Sequence, residues 1–147
     1  MEIVTKSAEE TKKIAANLAE ETKEQPLLKY AFIIALEGNL GSGKTTFIQG
    51  LAKGLKIKEN VLSPTFLILK EFPILFKKYK SFYHIDAYRL KHPKELLELG
   101  FNDLIKDPEN IIVIEWADKI KKILPKYILK IKFTNLGKNK RKITFTA

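Results

Sequence analysis

Hydrophobic residues along the chain follow two different patterns. Tyr30 to Glu37 (YAFIIALE) and Ile111 to Glu115 (IIVIE) are short, nearly continuous apolar runs, as strands buried on both faces require. Thr65 to Phe72 (TFLILKEF) and Ser81 to Asp86 (SFYHID) read as two further strands. Between the runs the spacing becomes helical. Ser7-Ala8-Glu9-Glu10 has the capping-box form, and Ile14 and Leu18, joined by Thr11 and Ala15, then make one face through about Glu21 before Pro26 closes the element. Phe47, Ile48, Leu51 and Leu55 predict a helix from Thr45 to Leu55. His92-Pro93 starts another, which carries Leu96, Leu97 and Leu99 and is stopped by Gly100, and Asp118 to Leu124 predicts one more, stopped by Pro125. Tyr127 to Phe133 and Arg141 to Thr146 flank the turn-rich NLGKNK and predict a terminal hairpin.

Strands alternating with helices at this length predict one domain, residues 1–147, of the α/β class: three layers around a mainly parallel central sheet, with an antiparallel C-terminal hairpin. A hydrophobic content of 45% suits a folded core. With no cysteine, disulfides and thiolate metal sites are excluded and a reducing cytoplasm is the expected location. Ser7 to Glu24 is dense in Glu and Lys, unlike a signal peptide. No apolar run approaches the ~20 residues of a membrane span. The net charge of +10 comes from lysines spread over nearly every segment, with Arg89 and Arg141 the only arginines. That distribution reads as a lysine bias rather than a dedicated nucleic-acid surface, where arginine is the better bidentate phosphate reader.

Gly38-Asn39-Leu40-Gly41-Ser42-Gly43-Lys44-Thr45 fits G-x-x-x-x-G-K-[ST], with an apolar strand before it and an amphipathic helix after it. Glycines let the backbone turn tightly and approach an anion closely. Their N–H groups, with the positive end of the following helix, surround phosphates. The pattern assigns Lys44 to the β- and γ-phosphates, the Thr45 hydroxyl to Mg2+, and Thr46 to the α-phosphate side. The expected fold is therefore that of a P-loop NTPase, and the expected ligands are ATP or ADP with Mg2+. Two acids compete for the metal: Glu115 after four aliphatic residues, and Asp86 after a more polar strand. Glu115 is placed on the metal side, and Asp86 is placed to orient or deprotonate the attacking water. Each also has the look of a solvated acid at a strand end. His84 reads as a strand residue, since nothing adjacent in sequence pairs it as a base.

GNLGSGKTTF, SPTF (Ser63 to Phe66), FYHIDAYRL and VIEWADK stand in an order and at spacings similar to those of the TsaE (YjeE) family. These are small P-loop ATPases of bacterial tRNA threonylcarbamoyladenosine synthesis. The resemblance implies that Thr45 and Glu115 are Mg2+ ligands and that Asp86 is tied to hydrolysis. It also implies that Thr65 belongs to a loop sensing the γ-phosphate, that Trp116 lies beside the nucleotide, and that Thr11 is near the adenine. A core aromatic and a helix-surface hydroxyl remain the plain alternatives for Trp116 and Thr11. Asn39 and Ser42 depart from the family's frequent aspartate and alanine without removing a phosphate contact. By the same resemblance the chain is an accessory ATPase, slow alone and stimulated by its partners TsaD and TsaB, with tRNA contacted indirectly. A P-loop small-molecule kinase is the alternative. Two arginines are few for its acceptor clamp, and the absence of an N-K-x-D segment argues against a GTPase. A basic tRNA-binding module using nucleotide only for stability is a further, non-enzymatic rival.

Overall fold

The computed structural model describes residues 1–39, 41–59, 68–75 and 78–147. In chain order the elements are β1 (Glu2–Thr5), α1 (Ala8–Glu24), β2 (Phe32–Glu37), α2 (Lys44–Gly54), β3 (Leu69–Pro73), β4 (Ser81–Asp86), α3 (Lys94–Glu98), α4 (Phe101–Lys106), β5 (Asn110–Glu115), β6 (Leu129–Gly137) and β7 (Lys140–Thr146). Two short 3-10 segments, Ala87–Arg89 and Ala117–Ile123, follow β4 and β5. Leu40 and Thr65, with the rest of the SPTF segment, lie outside the described residues.

The two apolar runs form the centre of one seven-stranded sheet, ordered β1-β7-β6-β2-β5-β4-β3. Every residue of β5 is buried. Strands β6, β2, β5 and β4 are mutually parallel. The expected mainly parallel sheet is corrected to a mixed one, because β1, β7 and β3 all pair antiparallel at the two margins. For β3–β4 and β6–β7 the cause is connection length, since a parallel pair needs a crossover of a dozen or more residues. Between β6 and β7 only Lys138 and Asn139 intervene, with φ of 46° and 66°. Two successive positive φ values are those of a type I′ hairpin turn. The expected antiparallel terminal hairpin is thus present. Strand β1, absent from the sequence reading, is too short to show a period and is specified by pairing Glu2–Thr5 with Arg141–Thr144 of β7.

Strand alternation divides the apolar residues between two cores. Ile34, Leu36, Val113 and Ile131 face α1 and α2. Ile33, Ala35, Ile112 and Ile114 face the short helices, with Leu96, Phe101 and Ile120 among the residues packed there. Ser7 caps α1, its Oγ accepting from Glu10 N at 3.1 Å. The buried stripe of α1 is Thr11, Ala15, Ala19 and Thr22, while Ile14 and Leu18 flank it half-buried. Small residues lie centrally because α2 presses close: a Cβ on Gly50 would stand 2.5 Å from Lys12 O, and one on Gly54 2.6 Å from Ala19 Cβ.

The predicted helix after Pro93 ends before Gly100, whose φ is 87°, but a second helix, α4, starts directly after it. Phe101 drives that restart by burying completely. The helix expected at Asp118 to Leu124 is a 3-10 winding of Ala117–Ile123, kinked at Ile120. No helix among the described residues is long and apolar enough to cross a membrane.

Candidate functional site

Parallel strands β2, β5 and β4 end together, with Leu36 opposite Glu115 and Glu115 opposite Asp86. Ligands of open α/β sheets gather at this carboxyl edge. Here it receives the loop following β2, the start of α2 and both candidate acids. Gly38 fits against Ser42 Oγ and Phe133 O, which a Cβ would meet at 2.7 and 2.9 Å. Gly43 adopts φ of 103° immediately before α2, a conformation that side-chain-bearing residues rarely accept. The first N–H groups of α2 have no partner within the helix by geometry, and they begin where the loop ends.

A cleft of about 560 Å³ opens over this loop. Gly41 to Thr46 form one wall, and Asp86, Glu115 and Trp116 face them. Lys44 is only 5% exposed, donates from Nζ to Gly38 O, and holds Nζ 3.6 Å from the centroid of Trp116. Burial lowers the pKa of Lys44 from its ordinary value, and nearby Glu115, Asp86 and Asp118 pull it back up. Trp116 takes a left-handed backbone, φ 57° and ψ 42°, where β5 turns into the 3-10 segment. Tyr88 stands at 5.0 Å from it, ring centre to ring centre, and Lys119 Nζ donates to Tyr88 O at 2.7 Å. Asp86 Oδ1 accepts from Tyr88 N at 3.0 Å, which orients its carboxylate where β4 ends.

The sequence-predicted residues thus divide. Gly41, Ser42, Gly43, Lys44, Thr45, Thr46, Asp86, Glu115 and Trp116 share the main cleft. Gly38 and Asn39 line a second cleft behind the loop, which Ser42 and Trp116 also border. Thr11 borders a small slot of about 60 Å³ beside Gly43 and Thr46. Its hydroxyl is already engaged, 2.7 Å from Thr5 Oγ1 and within reach of Ser7 O.

Three residues outside the predicted site set also meet here. Arg141, from β7, lies within 3.6 Å of a Cβ built on Gly43 and borders both the main cleft and the Thr11 slot. Arg89 borders the main cleft too, so both arginines of a lysine-rich chain converge there. That scarcity was the available signal. His84 is the third: it is a strand residue as read, on β4, but it does have a partner, Nε2 lying 2.7 Å from Glu115 Oε2 with both side chains buried. The partner stands on the neighbouring strand, where no sequence spacing points.

Chemically the arrangement pairs an anion cradle with two carboxylates. No group of three or more His, Cys, Asp or Glu side chains is placed to hold a metal by itself among the described residues. The donors available are the Thr45 hydroxyl, Glu115 and Asp86, all oxygen. Such a set suits magnesium, which takes one or two carboxylates and completes its shell with phosphate oxygens and water. The buried Ser42 Oγ, with no hydrogen-bond partner among the described residues, adds a free polar atom inside the loop.

The family model described as "Threonylcarbamoyl adenosine biosynthesis protein TsaE" matches residues 5–143. The chain is 40% identical over 133 residues to the tRNA threonylcarbamoyladenosine biosynthesis protein TsaE of Bacillus subtilis, covering 87% of this chain and 80% of that one. It is 37% identical over 142 residues to the TsaE protein of Rickettsia felis, covering 95% and 75%. The crystal structure of YdiB from Bacillus subtilis superposes with a TM-score of 0.77 at 34% identity, covering 100% of this chain and 84% of the other. With the loop, the acids and these likenesses together, the chain belongs to the TsaE family of tRNA threonylcarbamoyladenosine biosynthesis proteins.

Proposed function

We propose that this protein is a Mg2+-dependent ATPase that assists a TsaD–TsaB complex in threonylcarbamoyladenosine formation on tRNA. The observation that carries the reading is the meeting of Lys44 and the glycine loop with Glu115 and Asp86 at one sheet edge. In this reading the loop amides and the start of α2 bind the triphosphate. Lys44 leaves Gly38 O and Trp116 for the β- and γ-phosphates. Thr45 and Glu115 would hold magnesium, which when bound neutralises phosphate charge. Asp86, oriented by Tyr88 N, accepts a proton from the attacking water or aligns it. Arg141 and Arg89, both bordering the cleft, add positive charge near the phosphates, where charge grows during transfer.

With only two arginines in the chain, too few for the acceptor clamp a kinase needs, an accessory hydrolase is favoured over a small-molecule kinase. The test is ATP hydrolysis measured alone, then with the cognate TsaD and TsaB, with GTP as comparator. Slow hydrolysis that the partners accelerate is expected. Fast transfer to a small phosphoryl acceptor, or no hydrolysis in any mixture, overturns the reading.

A further inference from the structure

We infer that His84 is a positioning residue for Glu115: its imidazole fixes the carboxylate in the orientation that serves the metal. The inference rests on the magnesium role proposed above for Glu115. His84 and Asp86 stand two apart on β4, and so share the face of the sheet toward which Glu115 also points. His84 is opposite Val113, yet its ring reaches along β5 to Glu115, with Nε2 at 2.7 Å from Oε2. The two side chains are 1% and 4% exposed as residues. A carboxylate so enclosed is unfavourable unless hydrogen-bonded, so an N–H donor here both stabilises it and selects its rotamer.

The opposite ring nitrogen settles the tautomer. His84 Nδ1 is buried with no hydrogen-bond partner among the described residues. A hydrogen placed on Nδ1 would be buried and unbonded, and Nε2 would then turn a lone pair toward the carboxylate. With the hydrogen on Nε2, the ring donates to Oε2 and only an acceptor is left unpaired. Partners of this kind, one step behind a metal-binding carboxylate, set its direction, and losing one typically costs ten- to a hundredfold in metal affinity.

The test compares His84→Gln, whose amide nitrogen takes the place of Nε2, with His84→Asn, whose amide falls short of Glu115. Binding of a fluorescent ATP analogue is measured in EDTA and then across a Mg2+ titration, with thermal unfolding recorded for each variant. We expect wild-type affinity in EDTA for both. Half-maximal Mg2+ should rise about tenfold in His84→Asn and stay within about twofold of wild type in His84→Gln. Equal Mg2+ responses in the two variants, altered or not, overturn the positioning role, as does a change in unfolding temperature alone. Glu115→Gln separates the two ideas: if it leaves the Mg2+ response unchanged, the metal role of Glu115 has failed. The wild-type protein gives an independent readout that needs no variant. It has two histidines, and the 15N-edited imidazole spectrum must show His84 as the Nε2–H tautomer; the Nδ1–H form sinks the inference.

Discussion

Lys44 Nζ lies 3.6 Å above the Trp116 ring while donating to Gly38 O, so the site's buried lysine is held by an aromatic face and a backbone carbonyl. In the ATPase reading proposed above, both are contacts that phosphate oxygens would replace. Trp116 is the only tryptophan, so its emission should change when ATP draws the ammonium away. Lys44→Met should raise the Kd for ATP about ten- to a hundredfold, the effect of a charged hydrogen bond of ~1.5–3 kcal/mol. Titration followed by tryptophan fluorescence and by calorimetry checks both. Unchanged affinity in Lys44→Met removes the lysine from the site.

The same lysine predicts a pH dependence. Burial lowers the folded pKa of Lys44 below 10.5, so the folded empty protein gives up this proton before the unfolded chain does. Keeping Lys44 charged therefore disfavours the empty fold below its folded pKa, and that penalty fades as pH rises from there toward 10.5. Phosphate binding needs the charged form, so ATP affinity should fall in the same window while the empty protein gains stability. Kd measured as pH is raised toward 10.5 should climb for wild type and stay flat for Lys44→Met.

Asp86 and Glu115 stand opposite each other in the β4–β5 register, yet should fail differently when removed. Asp86→Ala should bind ATP within about threefold of wild type and lose turnover by about a hundredfold or more, as loss of a general base implies. Glu115→Ala should blunt the response to Mg2+ more than the affinity in EDTA. Wild-type turnover in Asp86→Ala would eliminate it as a catalyst.

Arg141 reaches Gly43 from the last strand and should contribute to nucleotide affinity rather than to folding. Arg141→Ala is expected to weaken ATP about fivefold, or ~1 kcal/mol for a solvent-screened cation, with the thermal midpoint unchanged. Parallel binding and melting curves decide it.

Gly50 should be a stability position with no part in the chemistry. An added Cβ would stand 2.5 Å from Lys12 O and 2.6 Å from Lys12 Cα, both backbone atoms that cannot swing aside. Gly50→Ala should therefore lose about 1–3 kcal/mol by forcing α1 away from α2. Urea denaturation measures the loss, and a more stable variant would show that the helices have room to part.

What the sequence determined by itself was whatever depends on neighbours along the chain. The glycine loop, the cap at Ser7, the buried strands around Ile34 and Val113, and the hairpin near Asn139 are all set by local backbone freedom and local apolar periodicity. What only the tertiary structure decided depends on which strands become neighbours. Antiparallel pairing of β1 with β7 at one margin and of β3 with β4 at the other turned a mainly parallel expectation into a mixed sheet. Adjacency of β4 and β5 set His84 against Glu115, and the place of β7 between β1 and β6 in the sheet brought Arg141 to Gly43. Strand pairing joins residues remote in sequence through backbone hydrogen bonds that every residue type offers alike, so no motif announces it. The local geometry of the loop was therefore legible in the sequence, and the company it keeps was not.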